Sequence, residues 1–453
     1  MTQSEVMRLS AVCPAIACLG ALLAQVPGGD EPIVVFTEHP RLLLRPARLR
    51  LLRRERERKS PRWQQFEALV AGGAPMPERG FAGALYFQVS GNREAGENAI
   101  AWALGPGRDL RQQALVFDWC QDLLSEPQRR DLTARLEQAI GRPPAEDTVA
   151  VERSRLMAAV ALFDHVPDLP RRELERVART WWAGRIVKAL EAGRSAIARD
   201  DAYALYELLH VMRDNTNLDL RESCRRFFKD FPIEHLLSYY PPSYPAGENE
   251  YRIGAMRQSG EPDLQLAALG RAAEMAMVAF DTNAPESQVL QGWLMHDNFM
   301  LRGAFGAPYE FLWANPYQPG LSYYHVPLIY HDPDFGKLFV RSSWEDSATW
   351  FGYFDGVMQL FSDGKITSLN PQLAMAPLEL QEAVICFARS ARRFQVKLDE
   401  EDAVFVVGLE PHRTYQVEVD DEEMFEAAAD TGGILELDDL PRGKPVGVRI
   451  DSR

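Results

Sequence analysis

The sequence predicts an α+β protein in two parts, an array of paired helices followed by an antiparallel, β-sandwich-like region. From Ser60 to about Phe280, apolar residues recur at helical spacing between short linkers that carry Gly or Pro. From about Tyr330 that period gives way to short β-prone runs separated by turn residues. Hydrophobic residues make up 46% of the 453 positions and charged ones 25%, an ordinary globular mix with ample material for a core. The expected domains are 1–26 as a secretory signal, 33–325 as the helical domain and 326–453 as a short β domain.

At the N-terminus Arg8 precedes the apolar run Leu9–Ala24, and Pro27-Gly28-Gly29 follows. That order is the tripartite form of a secretory signal. It predicts a periplasmic or secreted protein with no transmembrane domain in the mature chain, the alternative being a buried N-terminal helix. Cys13 and Cys18 fall inside the run, while Cys120, Cys224 and Cys386 are too widely spaced for a disulfide framework or a zinc site. They are expected as mostly buried thiols. Ile33–Phe36 is a short β-prone run.

The helical elements follow in order. Pro46 suits the first turn of a basic helix reaching Lys59. Ser60-Pro61 opens a second helix with Trp63 and Phe66 on its apolar side. Ser125 and Gln128 have the spacing of a capping box, and Gly141 supplies a stop. Pro170 begins a long segment with Leu174, Val177, Trp181, Ile186 and Leu190 at helical spacing. Ala202–Met212 and Leu264–Val278 repeat the pattern. Short connections make consecutive helices antiparallel neighbours. The β-prone runs are Leu338–Val340, Trp350–Phe354, Val404–Val407, Tyr415–Val419, Ile434–Leu437 and Val446–Ile450, with turns at Asp363-Gly364 and Gly432-Gly433.

The formal net charge of −15 argues against a general nucleic-acid partner, because phosphate neutralisation needs a basic face. Gly-rich phosphate loops, Gly-x-Ser-x-Gly, His-Glu-x-x-His and Cys-x-x-Cys are all missing from the sequence. No cofactor and no metal are expected, and the acidic run Glu418–Glu423 reads as a solvated strand end.

Three stretches in order resemble the heparinase II/III-like and alginate-lyase-like polysaccharide lyases. They are His39-Pro40-Arg41-Leu42-Leu43-Leu44, then Phe117-Asp118-Trp119-Cys120 followed by Leu124-Ser125-Glu126-Pro127-Gln128-Arg129-Arg130, then Asp334-Phe335-Gly336-Lys337-Leu338-Phe339-Val340-Arg341-Ser342-Ser343-Trp344. The resemblance spans roughly residues 39–360. It implies an incomplete (α/α) toroid ahead of the β domain, and β-elimination on an acidic, uronate-containing polysaccharide or oligosaccharide. The Asn-His pair usual in the middle of such toroids has no counterpart in this sequence.

That chemistry needs donors that neutralise the C6 carboxylate, a base for the C5 proton and an acid for the leaving oxygen. Residues 210–257 hold the densest such set. The catalytic candidates are Tyr240, Tyr251 and His210, with His296 in a second cluster. The substrate-binding candidates are Asn215, Asn217, Tyr239, Tyr244, Asn249 and Arg252, with Tyr324 at the domain junction. Residues 239–252 read as a Pro-broken loop. Each candidate also has a plain structural role open to it: Asn as a cap, Tyr as packing, Arg252 as a partner of Glu248 and Glu250, His296 as a helix-surface ring. Two other functions stay open. One is a toroid glycoside hydrolase using Asp214, Glu248 or Glu250 as paired acids. The other is a non-catalytic glycan-binding or envelope relative.

Overall fold

The computed structural model describes residues 32–452, apart from 145, 217, 248, 258–259, 299–300, 371–374, 389–392, 400–401 and 439. The proposed signal segment, Asn217 and Glu248 therefore lie outside the described residues. The protein is α plus β, with helices from Pro46 to Trp313 interrupted by a two-stranded sheet within 239–254, and larger sheets from Ile329 to Ser452. No helix among the described residues is long and apolar enough to cross a membrane.

Local signals explain most helix ends. Pro46 and Pro61 stand at the starts of Pro46–Glu57 and Pro61–Ala71, and the Ser60 side chain accepts from the Trp63 N–H. The expected capping box is present at Ser125 and Gln128, opening Glu126–Gly141. Sequence-adjacent helices pack together, as in Arg79–Ser90 with Arg93–Ala103 and Glu126–Gly141 with Val149–Leu162. The segment after Pro170 is not one α-helix: Leu169–Glu175 runs into a wide π-helix, Arg176–Val187.

The first and second resemblance stretches dock on each other. Asp118, buried in Leu110–Trp119, accepts the backbone N–H of Arg41 at 2.9 Å and of Leu42 at 2.8 Å and also pairs with His39. Trp119 Nε1 donates to Leu42 O at 2.8 Å. These residues fasten the entering chain to the helical core. Ile33–Phe36 forms no strand: Ile33 and Val35 face inward, and the Phe36 N–H donates to Asn215 O at 3.3 Å. Cys120 and Cys386 are buried free thiols and Cys224 is half-buried.

The C-terminal part is three stacked sheets. Ile329–Asp332, Lys337–Arg341, Trp350–Phe354, Val357–Ser362 and Lys365–Ser368 form an antiparallel meander. Its Phe339, Trp350, Phe354 and Phe361 join the core of the helices, while Leu338, Val340 and Phe351 face the next sheet. That middle sheet contains Ala383–Phe387 and Ala403–Val407, which pair in parallel where only antiparallel strands were expected. Both runs are apolar at nearly every position because both faces are covered. Ile385, Phe387, Phe405 and Val407 meet the meander; Val384, Cys386, Val404 and Val406 meet the last sheet, which holds Thr414–Val419 and Pro445–Ser452. The acidic run forms the hairpin turn after Thr414–Val419, with Asp420 and Asp421 at positive φ.

Candidate functional site

Residues 239–252 are a hairpin, not a loop. Tyr239–Ala246 pairs antiparallel with Asn249–Gly254, with an irregularity between Tyr239 and Ser243 where Pro241 and Pro242 supply no N–H. Beside it lies a cleft of about 510 Å³ between the helical and β parts. The Arg225–Leu237 helix lines one wall with Glu234 and His235, the meander lines another with Lys337 and Phe339, and the loop 195–200 contributes Arg199. Lys337 Nζ binds Glu234 Oε1 at 2.5 Å, joining the two walls.

His235 falls on the helix stripe that also buries Phe228, Phe231 and Leu236, so its ring turns inward. Its Nε2 lies 3.0 Å from Tyr239 Oη and 3.6 Å from Glu274 Oε1. Arg271 Nη1 donates to Glu274 Oε2 at 2.8 Å. Arg199 lies over the Tyr239 ring, its Cζ 4.3 Å from the centroid, and its Nε donates to Ser238 Oγ at 2.7 Å. Gly254 makes room for it: a Cβ there would stand 2.3 Å from Arg199 Nη1.

Burial, reinforced by Arg199, holds the His235 imidazole below its ordinary value and therefore neutral. Burial next to Glu274 pushes the Tyr239 phenol up. Burial also opposes the charge of Glu274, but Arg271 and then His235 outweigh it and keep the carboxylate ionised. Two buried nitrogens in this wall have no hydrogen-bond partner among the described residues, Arg199 Nη2 and His235 Nδ1. No described carboxylate forms an ion pair with Arg199, so its charge is open to an anionic ligand.

None of the residues singled out from the sequence lines this cleft directly. Tyr239 reaches it through His235. Tyr240, packed on Trp350, donates to Gln359 Oε1 at 2.9 Å and accepts from the N–H of Met256, a lining residue, at 3.1 Å. Tyr244 is exposed and donates to Glu261 Oε2 at 3.3 Å at the rim. On the far side of the hairpin, Asn249 Nδ2 donates to Tyr251 Oη and to Arg302 O, both at 3.0 Å. Arg252 binds Asp297 Oδ1 at 2.8 Å and Asp346 Oδ1 at 2.9 Å, where Glu248 and Glu250 had been considered as its partners.

The remaining candidates lie elsewhere. His210 is enclosed by Phe280 and Trp313, with Nε2 3.0 Å from Ala276 O; burial holds it down at about 4. Asn215 is fully buried, donates to Val211 O at 2.7 Å and accepts from Thr37. His296 sits at an exposed helix end, its ring stacked 4.0 Å from that of Tyr323, and Asp297 engages Arg252 and Arg271. Tyr324 is 88% exposed. Sequence reading missed His235, Arg199 and Gly254. The available signal was the apolar stripe Phe228, Phe231 and Leu236, whose helical spacing carries His235 inward.

No family model matches the chain, and no curated protein does. A solved structure of a glycoside hydrolase aligns with a TM-score of 0.31 and 11% identity, covering 83% of this chain and 71% of that one.

Proposed function

We propose that this chain is an exported protein that binds an acidic glycan in the junction cleft, on an incomplete (α/α) toroid, and acts on it by β-elimination. The observation that carries the reading is Arg199, a guanidinium with no carboxylate partner among the described residues, laid over a tyrosine that is hydrogen-bonded to a neutral histidine. Arg199 would pair with the C6 carboxylate and lower the barrier to losing the C5 proton. Neutral His235, whose Nδ1 has no partner among the described residues, would take the C5 proton. The Tyr239 phenol, kept protonated, would give its proton to the leaving glycosidic oxygen, the 3.0 Å Nε2–Oη contact then carrying a proton back from His235 to Tyr239. Catalysis requires the wall to open, because Tyr239 and His235 are each only 1% exposed.

That burial also supports a second reading, binding without cleavage. The hydrolase reading finds less support at Asp214, which is enclosed by Arg45, Arg213 and His210 and held well below the usual carboxylate range. A carboxyl kept that low is ionised near neutrality and cannot protonate a leaving oxygen. Incubation of the full chain with alginate, heparan sulfate, hyaluronan and pectic polymers tests both readings. Unsaturated product that disappears in Tyr239→Phe supports elimination. Saturable binding lost in Arg199→Met, with no product, supports binding alone. Neither binding nor product sinks both.

A further inference from the structure

A second depression, of about 580 Å³, lies beyond the loop 194–201 and shares Ser195 with the junction cleft. Its walls differ in character. Thr148 and Val149 bring the start of the Val149–Leu162 helix, where the Thr148 side chain accepts the Val151 N–H at 3.3 Å and the Val149 and Ala150 N–H groups lack intrahelical partners. The π-helix Arg176–Val187 brings Trp181 and Arg185, and Lys188 and Arg194 follow from the segment after it. π-Helical geometry is rare and gathers at functional sites. It sets two adjacent indoles to different uses. Trp182 Nε1 donates to Leu220 O at 2.9 Å, whereas Trp181, 3% exposed, lines the depression and its Nε1 has no acceptor among the described residues. A buried indole N–H without a partner is unfavourable by about 1–3 kcal/mol unless a ligand or water satisfies it.

The charges are arranged to match. Arg185 is paired with Asp147, and the remaining carboxylate of the wall is Asp201. No described carboxylate forms an ion pair with Lys188 or Arg194, unusual company in a chain of net charge −15. We propose that this depression is a binding site for a tetrahedral oxyanion, sulfate or phosphate, held by Lys188, Arg194, the Trp181 N–H and the start of the Val149–Leu162 helix. The donors come from three separate elements, a point charge at Lys188, a guanidinium fork at Arg194, an indole N–H and backbone N–H groups, a spread that suits the diverging oxygens of a tetrahedral anion. Because Ser195 borders both depressions, an ester sulfate on a glycan in the cleft is one source of the anion, and a free ion is the other. The site does not depend on the cleft being catalytic.

Isothermal titration of the full chain with sodium sulfate, sodium phosphate and sodium chloride at matched ionic strength tests the site. Calorimetry is preferable to a melting shift, because sulfate stabilises folded proteins by exclusion alone. Saturable binding of sulfate or phosphate at about 1 mM or tighter is expected, with none for chloride. Glucosamine 6-sulfate against glucosamine then separates a sugar-borne source from the free ion. Lys188→Ala/Arg194→Ala changes exposed side chains and should weaken binding at least tenfold without unfolding the protein. Trp181→Phe keeps the ring but removes the donor, and a loss of about fivefold is expected. Heats indistinguishable from chloride, or unchanged affinity in the double variant, overturn the proposal. Loss of glycan cleavage with sulfate binding intact counts against the cleft reading alone.

Discussion

Gly254→Ala separates ligand recognition from folding. The new Cβ would meet Arg199 Nη1 at 2.3 Å and Cζ at 2.5 Å, contacts no real methyl makes. Both atoms are the far end of a flexible side chain, so Arg199 swings off the Tyr239 ring and gives up its 2.7 Å bond to Ser238 rather than the backbone moving. The expected loss of stability is about 1 kcal/mol, one modest hydrogen bond. A charged hydrogen bond to a bound carboxylate contributes about 1.5–3 kcal/mol. Arg199 is half-exposed and partly screened, so the lower figure applies, or about a tenfold weaker Kd. Calorimetric titration with an oligogalacturonate or a heparan-derived oligosaccharide, beside urea melts of the same preparations, measures both quantities. Arg199→Met should match it, and the double variant should be no worse than either single one, since all remove one contact. A correctly folded Gly254→Ala protein that binds uronate oligomers within twofold of the parent refutes the assignment of Arg199.

Three further outcomes concern stability. Asp118→Ala strips the acceptor from two buried N–H groups, at Arg41 and Leu42, and should lower the unfolding free energy by about 2–5 kcal/mol in urea; Asp118→Asn, keeping one oxygen, should lose less. Burial raises the Glu310 carboxyl to about 7, although the Leu301 N–H at 2.6 Å opposes that. A carboxyl raised in the fold weakens the protein increasingly as pH climbs from its unfolded value to 7, so Glu310→Gln should raise Tm at pH 8 and leave it nearly unchanged at pH 4. For His331, burial alone would lower the imidazole, but Asp430 at 3.0 Å and Glu436 at 2.8 Å lift it to about 9. Its contribution, on the order of 3 kcal/mol at most, is full below about pH 6.5 and fades as pH rises through 9. His331→Gln should therefore melt earlier at pH 6 and converge with the parent at pH 10; a constant gap at both pH values contradicts the linkage.

The sequence by itself determined the order of the parts. Helical periodicity up to Phe280 and β-prone runs after Tyr330 are local properties, and Pro46, Ser60 and Ser125 marked helix starts through chemistry within four residues of each. Tertiary structure decided what each polar residue is for. His39, Asp118 and Trp119 read as parts of a family motif, and folding joins them into one clasp across 79 residues. Asn215 and His210 look like site residues in a list, yet their neighbours in space are the entering chain and the rings of Phe280 and Trp313. His235 carries no motif, and it borders the cleft because its helix face packs on Tyr206 and Glu274 of other helices while the adjacent Glu234 meets Lys337, a strand residue 103 positions later. The parallel pairing of Ala383–Phe387 with Ala403–Val407 was equally hidden. An apolar run shows that a strand is covered on both sides, but not which strand lies next to it, because pairing depends on where the intervening chain returns.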